Sequence, residues 1–164
     1  MDYGFVRVAA VVPQVNVADC DYNAKNIIDS AEKACAEGAK FVVFPELSVT
    51  GYTCGDLFAQ SVLLTKAQEC LRLIKEETKE LDCVLAVGAP VRVGNALYDC
   101  AVVISKGEFL GIVPKTYIQV NERRTFVSGE RCTNQVVKIG DEDVLFGTDL
   151  MFVQDDVKVA VEID

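Results

Sequence analysis

The chain has 164 residues, 51% of them hydrophobic and 25% charged, with a mean hydropathy of +0.24. Those values exclude a disordered chain and allow one ordinary domain or a piece of a larger one. With 16 basic against 25 acidic residues, a net charge of -9 and a pI near 4.5, nonspecific binding to nucleic acid is not expected, because it rests on Lys and Arg displacing phosphate counterions.

Residues 5–12 are rich in Val and Ala and read as a buried strand stopped by Pro13. Asp19 or Asp21 can cap a helix to about Glu37, with Ala24, Ile27, Ile28, Ala31, Ala34 and Cys35 on its apolar face and Gly38 at its end. Residues 40–44 form a short continuous apolar run, as in an interior strand, so the chain opens strand–helix–strand. Asp56 can cap a second helix from Leu57 to about Glu80, whose inward set is Leu63, Leu64, Ala67, Leu71 and Ile74. Residues 83–87 read as a third strand, and 96–105 with 108–113 as a hairpin around Lys106-Gly107, which makes the sheet mixed. Residues 114–129 lack any period and read as loop. Residues 136–139, 144–146 and 157–163 read as short strands. Eight acidic residues against Lys158 between 141 and 164 read as solvated loops between them, with a cation site as the alternative. The fold class is α/β with a mixed sheet.

No apolar run approaches the ~18 residues needed to cross a bilayer, and the N-terminus lacks the basic and apolar regions of a secretory leader. The seven cysteines contain no C-x-x-C pair and read as reduced thiols, so a cytoplasmic location is expected, with no membrane partner. Cys35, Cys70 and Cys100 fit small core positions. Histidine is absent, which removes Ser-His-Asp and Cys-His catalysis and the commonest zinc ligand. No metal is expected. Acid–base chemistry must use carboxylate, Lys, Tyr or Cys.

Two charged residues each follow an apolar strand directly. Glu46 does so in Phe44-Pro45-Glu46-Leu47-Ser48, and Lys115 in Val113-Pro114-Lys115-Thr116. In α/β sheets, functional groups gather just past the carboxyl ends of strands. Burial there suits a carboxylate to general-base work and a lysine to oxyanion stabilisation. Position alone leaves open a capping or paired glutamate and a solvated lysine.

Three segments carry a resemblance: FPELSVTGYTCGDLF (residues 44–58), VGAPVRVGNALYDCAVVISKGEFLGIVPKTYI (residues 87–118) and VAVEI (residues 159–163). They resemble the nitrilase, or carbon–nitrogen hydrolase, superfamily, and most closely the N-terminal glutaminase domain of glutamine-dependent NAD synthetases. The resemblance spans nearly the whole chain. It implies an α-β-β-α sandwich, incomplete here at its C-terminal end, and a Glu–Lys–Cys triad in which Glu46 is the base and Lys115 the oxyanion-stabilising lysine. Glu122 matches a supporting second glutamate, and Tyr52 is a weaker candidate to line the pocket.

The family reaction implied is attack of Cys on the glutamine amide, release of ammonia and hydrolysis of a glutamyl thioester. The ammonia feeds a C-terminal ligase domain that uses ATP and Mg to make NAD from nicotinic acid adenine dinucleotide. The resemblance implies residues 1–164 as the N-terminal part of the glutaminase domain, no cofactor in this segment, glutamine as substrate, the synthetase domain as partner, and a homo-oligomer. Two departures stand out. Asp164 occupies the family's cysteine position in V-E-I-C, and a carboxylate cannot form the thioester. The loop after Lys115 is shorter than the family's and lacks its tyrosine stretch. Cys54, in the GYTCGDL loop, is not expected to act as nucleophile. The expectation is therefore an inactive segment of a glutaminase. The alternatives are a fragment of another amidase, acting on a small aliphatic amide or N-carbamoyl compound, and a non-catalytic interaction module. Glu46 and Lys115 are expected at the ends of neighbouring strands, facing one cleft with Asp164 close by.

Overall fold

Two helices and a mixed sheet account for the core of the computed structural model, which describes residues 4–132 and 135–163. β1 (Val8–Ala10) pairs in parallel with β2 (Phe41–Val43), and β2 in parallel with β3 (Val84–Val93). β1 is shorter than the eight residues expected because β2 offers only three partners before Pro45, which has no N–H to continue the ladder. Between them runs α1 (Cys20–Ala36), capped by the Asp19 side chain accepting from Tyr22 N at 3.2 Å. It ends at Gly38, whose φ of +88° suits a residue without Cβ.

The second helix begins later than expected. Residues Tyr52–Ala59 form 3-10 turns interrupted at Gly55 (φ 54°, ψ -126°), and Gln60 is extended before α2 (Ser61–Glu77). Asp56 does not cap it; its Oδ1 instead accepts from Arg124 Nη2 at 2.7 Å. The inward set is as expected: Leu63, Leu64, Ala67, Leu71 and Ile74 are all buried, with Cys70 added.

β3 is longer than expected because it pairs with β4 (Ala96–Ser105) over nine residues, turning at Gly94-Asn95. β4 pairs antiparallel with β5 (Glu108–Pro114) around Lys106 and Gly107, both at positive φ as a tight hairpin requires. β6 (Gln135–Ile139) and β7 (Glu142–Phe146) complete the order β1-β2-β3-β4-β5-β7-β6. Beyond them β8 (Met151–Gln154), absent from the sequence reading, pairs with β9 (Val157–Ala160), which stops three residues before the expected end of that strand.

The strands alternate, except at an irregularity in the β4–β5 pairing beside Val103 and Ile104. Val42, Leu85, Val87, Ala89, Cys100, Val102, Ile104 and Ile112 face α1 and α2. Phe41, Val84, Val103 and Val113 face the other way, where Phe152, Val157 and Val159 of the β8–β9 ribbon pack on them together with Leu150 just before it. Gly111 makes room for that ribbon: a Cβ there would stand 2.9 Å from Leu150 Cδ1. The helix layer, the sheet and a second β layer are thus stacked as in an α-β-β arrangement.

Candidate active site

β2, β3 and β5 run in the same direction, so the exits of β2 and β5 lie at one end of the sheet. The exit of β2 is shaped by a close approach. Pro45, Glu46 and Leu47 cross over Gly88 of β3, where an added Cβ would meet Pro45 O at 2.2 Å and Leu47 N at 2.5 Å. The crossing is locked by Val49 N donating to Gly88 O (3.1 Å) and Gly51 N donating to Leu47 O (2.7 Å). Leu47 is buried with φ at +51°, a costly conformation for a leucine that the packed surroundings hold in place. That turn delivers the Glu46 carboxylate to the sheet end.

At the exit of β5, Lys115 N donates to Asp99 O at 2.8 Å, and Gly129 N donates to Lys115 O at 2.8 Å. Lys115 is therefore pinned from both sides, and its whole residue is 0% exposed. Its Nζ donates to Glu46 Oε2 at 2.8 Å and to Glu122 Oε1 at 3.1 Å. Glu122 comes from the turn after β5. Its Oε1 also accepts from Tyr52 OH at 3.0 Å, and its Oε2 from Gln119 N at 3.0 Å. Four residues singled out in the sequence, Glu46, Lys115, Glu122 and Tyr52, thus meet at one place. Contrary to expectation, the two strands that carry Glu46 and Lys115 are not neighbours: β3 and β4 lie between them. Long side chains and the Gly88 crossing bridge that gap.

The electrostatics follow from the contacts. Burial alone pulls the Lys115 ammonium down, but Glu46 and then Glu122 outweigh it, so it is raised and charged. Burial likewise pushes Glu122 up, but the Gln119 N–H, Lys115 and Tyr52 together hold its carboxyl below the usual range. Tyr52 is raised, first by its bond to Glu122.

Sequence reasoning missed Asp99. It lies on β4, is 1% exposed, and shares with Glu46 and Glu122 a space in which carboxylate oxygens stand within 4.8 Å of one another. Its signal was a lone carboxylate inside the apolar run Leu97-Tyr98-Asp99-Cys100-Ala101-Val102. The three carboxylates have the spacing of a cation site, but Lys115 Nζ already serves two of them as the cation.

Cys54 does not take the nucleophile's part. Its Sγ donates to Thr50 O (3.1 Å) and Gly51 O (3.3 Å), and burial pushes its thiol up, away from the reactive thiolate. Asp164 lies outside the described residues. The segment before it reaches the site, since Val161, Glu162 and Ile163 line a cavity of about 260 Å³ with Glu46, Gly88 and Ala101. A larger cavity of about 370 Å³ runs along β1 and α1 past Arg7 and Lys33, away from this convergence of charge.

The pattern of the family described as carbon-nitrogen hydrolase matches residues 7–161. The chain belongs to the carbon–nitrogen hydrolase family. A protein of Mycobacterium tuberculosis named glutamine-dependent NAD(+) synthetase is 41% identical over 160 residues, 94% of this chain and 23% of that protein. A solved glutamine-dependent NAD(+) synthetase from Cytophaga hutchinsonii superimposes with a TM-score of 0.86 at 25% identity, over 94% of this chain and 27% of its own. An amidase from Nesterenkonia, at 24% identity, shares the fold with a TM-score of 0.65 over 85% of this chain and 54% of its own. The carbon–nitrogen hydrolase chain described here spans about a quarter of the length of the synthetases it matches.

Proposed function

We propose that this family member is the N-terminal part of the glutaminase domain of a glutamine-dependent NAD synthetase, and that its site serves cleavage of the glutamine side-chain amide. The observation that carries this is a fully buried lysine held between Glu46 and Glu122 beside the cavity lined by Val161–Ile163. Its relatives named as such synthetases support the choice of glutamine. In this reading Glu46 is the base and Lys115 presents a fixed positive charge to the oxygen that becomes negative when the amide carbon turns tetrahedral. Glu122 and Tyr52 hold Lys115 in that position. The ammonia released goes to a separate synthetase domain, the partner where ATP and magnesium act in making NAD from nicotinic acid adenine dinucleotide.

The step that needs a thiol has no thiol at position 164, where Asp164 stands. The 164-residue chain is accordingly inactive as an amidase. The test is ammonia release from millimolar glutamine by the unaltered chain and by Asp164→Cys. Ammonia from the variant alone, lost again in Asp164→Cys with Glu46→Gln, supports the reading. Release from a small aliphatic amide but not from glutamine points to another amidase specificity. Release by the unaltered chain overturns the assignment of position 164. Asp164 also favours a second reading, a non-catalytic module that keeps the fold for association, and silence of both proteins towards every amide supports it.

A further inference from the structure

The charges converging on Lys115 do not balance. If Glu46, Asp99 and Glu122 were all ionised, the cluster would carry two net negative charges around a single ammonium. The three carboxylates are unequally served. Glu122 accepts from Lys115, Tyr52 and the Gln119 N–H. Glu46 accepts from Lys115, and its side chain is 27% exposed to water. Asp99 is buried, and among the described residues neither of its oxygens has a hydrogen-bond partner. A buried ionised carboxylate with no donor is costly, and the cheapest remedy is a proton on that group. A proton on Asp99 also converts an orphaned acceptor into a donor, and a Glu46 carboxylate oxygen within 4.8 Å is the acceptor that a small shift of either side chain would bring into bonding distance.

We propose that Asp99 is a neutral carboxylic acid at neutral pH that donates a hydrogen bond to Glu46 and so acts as a positioning residue for it. The proton follows from the burial of Asp99 without a donor; the consequence for a catalytic base rests on the amide-hydrolysis reading. Among the described residues, the charged groups facing Asp99 are Glu46 from the exit of β2, Lys115 from the exit of β5, and Glu122, which Tyr52 bonds from behind. β3 places uncharged Pro90 opposite Asp99 in the ladder. Cys100, next along β4, points to the helix side of the sheet. Burial first, and then Glu46, push the Asp99 carboxyl up to about 8, with Lys115 pulling the other way. Above that pH a third negative charge appears beside Glu46. Below it the site keeps one acid, two carboxylates and one ammonium.

The sign in stability is fixed by linkage. The Asp99 pKa rises from about 3.9 in the unfolded chain to about 8 when folded. Across that window the folded chain binds more protons, so stability falls as pH rises. The primary experiment is carbon-13 NMR titration of aspartate carboxyl carbons in the 164-residue chain, with the Asp99 signal identified by its loss in Asp99→Asn. One aspartate titrating near pH 8 is expected, and every aspartate titrating in the ordinary acid range overturns the proposal. Glu46→Gln should move that midpoint down, because a like charge is removed; an unmoved midpoint overturns the link to Glu46 and leaves the glutaminase reading to its own assay. As a second measurement, the thermal midpoint of the native chain should fall against that of Asp99→Asn from pH 4 to 8 (about the two pKa values above). Parallel curves contradict a proton held by Asp99.

Discussion

Lys115 holds the site together more than any other side chain, because among the described residues it is the one buried cation that two carboxylates address directly. Removing one partner of a buried ion pair leaves uncompensated charge, typically at a cost of about 3–5 kcal/mol. Lys115→Met should lose that much stability at pH 8, and less at pH 5, where protonation relieves the abandoned carboxylates. Urea unfolding at both pH values measures it; equal losses would assign the effect to packing of the lysine stem instead. Gly88 is the other residue on which the site depends. Gly88→Ala drives a methyl into the backbone of Pro45 and Leu47, and overpacking of this kind costs about 1–3 kcal/mol. Its particular signature should be displacement of Glu46, seen as loss of the Glu46–Lys115 contact in a crystal structure of the variant.

Among the elements, α2 shows how an amphipathic pattern becomes stability. Leu71 is 0% exposed against the sheet, whereas Leu73, two residues on, is 43% exposed on the opposite side. Leu71→Ala should cost about 2–5 kcal/mol, the range for a buried leucine that leaves a cavity. Leu73→Ala should stay within about 0.5 kcal/mol, as at ordinary surface positions. Denaturant midpoints at a common slope separate the two, and comparable losses would mean that the outer face of α2 is covered in solution. α1 is fixed differently. Its buried Asn23 donates to Asn16 O (2.8 Å) and Val49 O (3.0 Å) and accepts from Asn16 N (2.7 Å), so one side chain ties the helix start to the loop following Glu46.

The whole molecule has an uneven surface. The helix side of the sheet is covered, but the ribbon side is covered only in part. Val8 and Val43, on the face that carries Phe41, are 66% and 49% exposed, at the end of the sheet where β1 is the outermost strand. An apolar face beside an open strand edge recruits other chains. The 164-residue chain should therefore self-associate at micromolar concentration, and Val43→Lys should weaken that association without unfolding the chain. Sedimentation velocity with a parallel thermal melt reads both effects; a sharp monomer for the unaltered chain contradicts the expectation. Among the described residues no helix is long and apolar enough to cross a membrane.

What could be read from residues alone was local or carried by a motif. The period of α1, the inward face of α2, the Lys106-Gly107 hairpin and the family itself all follow from near neighbours in the chain or from contiguous signatures such as Phe44–Phe58. Glu46 and Lys115 were legible because each directly follows an apolar strand. The rest depended on distant partners. The true length of β3 was set by its nine-residue pairing with β4, and β8 became a strand only against β9. The late start of α2 turned on the conformation of Gly55 and on Arg124 holding Asp56. Asp99 is the clearest case. In sequence it is one acid in an apolar run; only the sheet register, which sets its carbonyl against Lys115 N–H and its carboxylate beside Glu46 and Glu122, makes it part of the site. Periodicity reports which face a side chain takes, whereas the charge it meets there is decided by strands that lie far away in the chain.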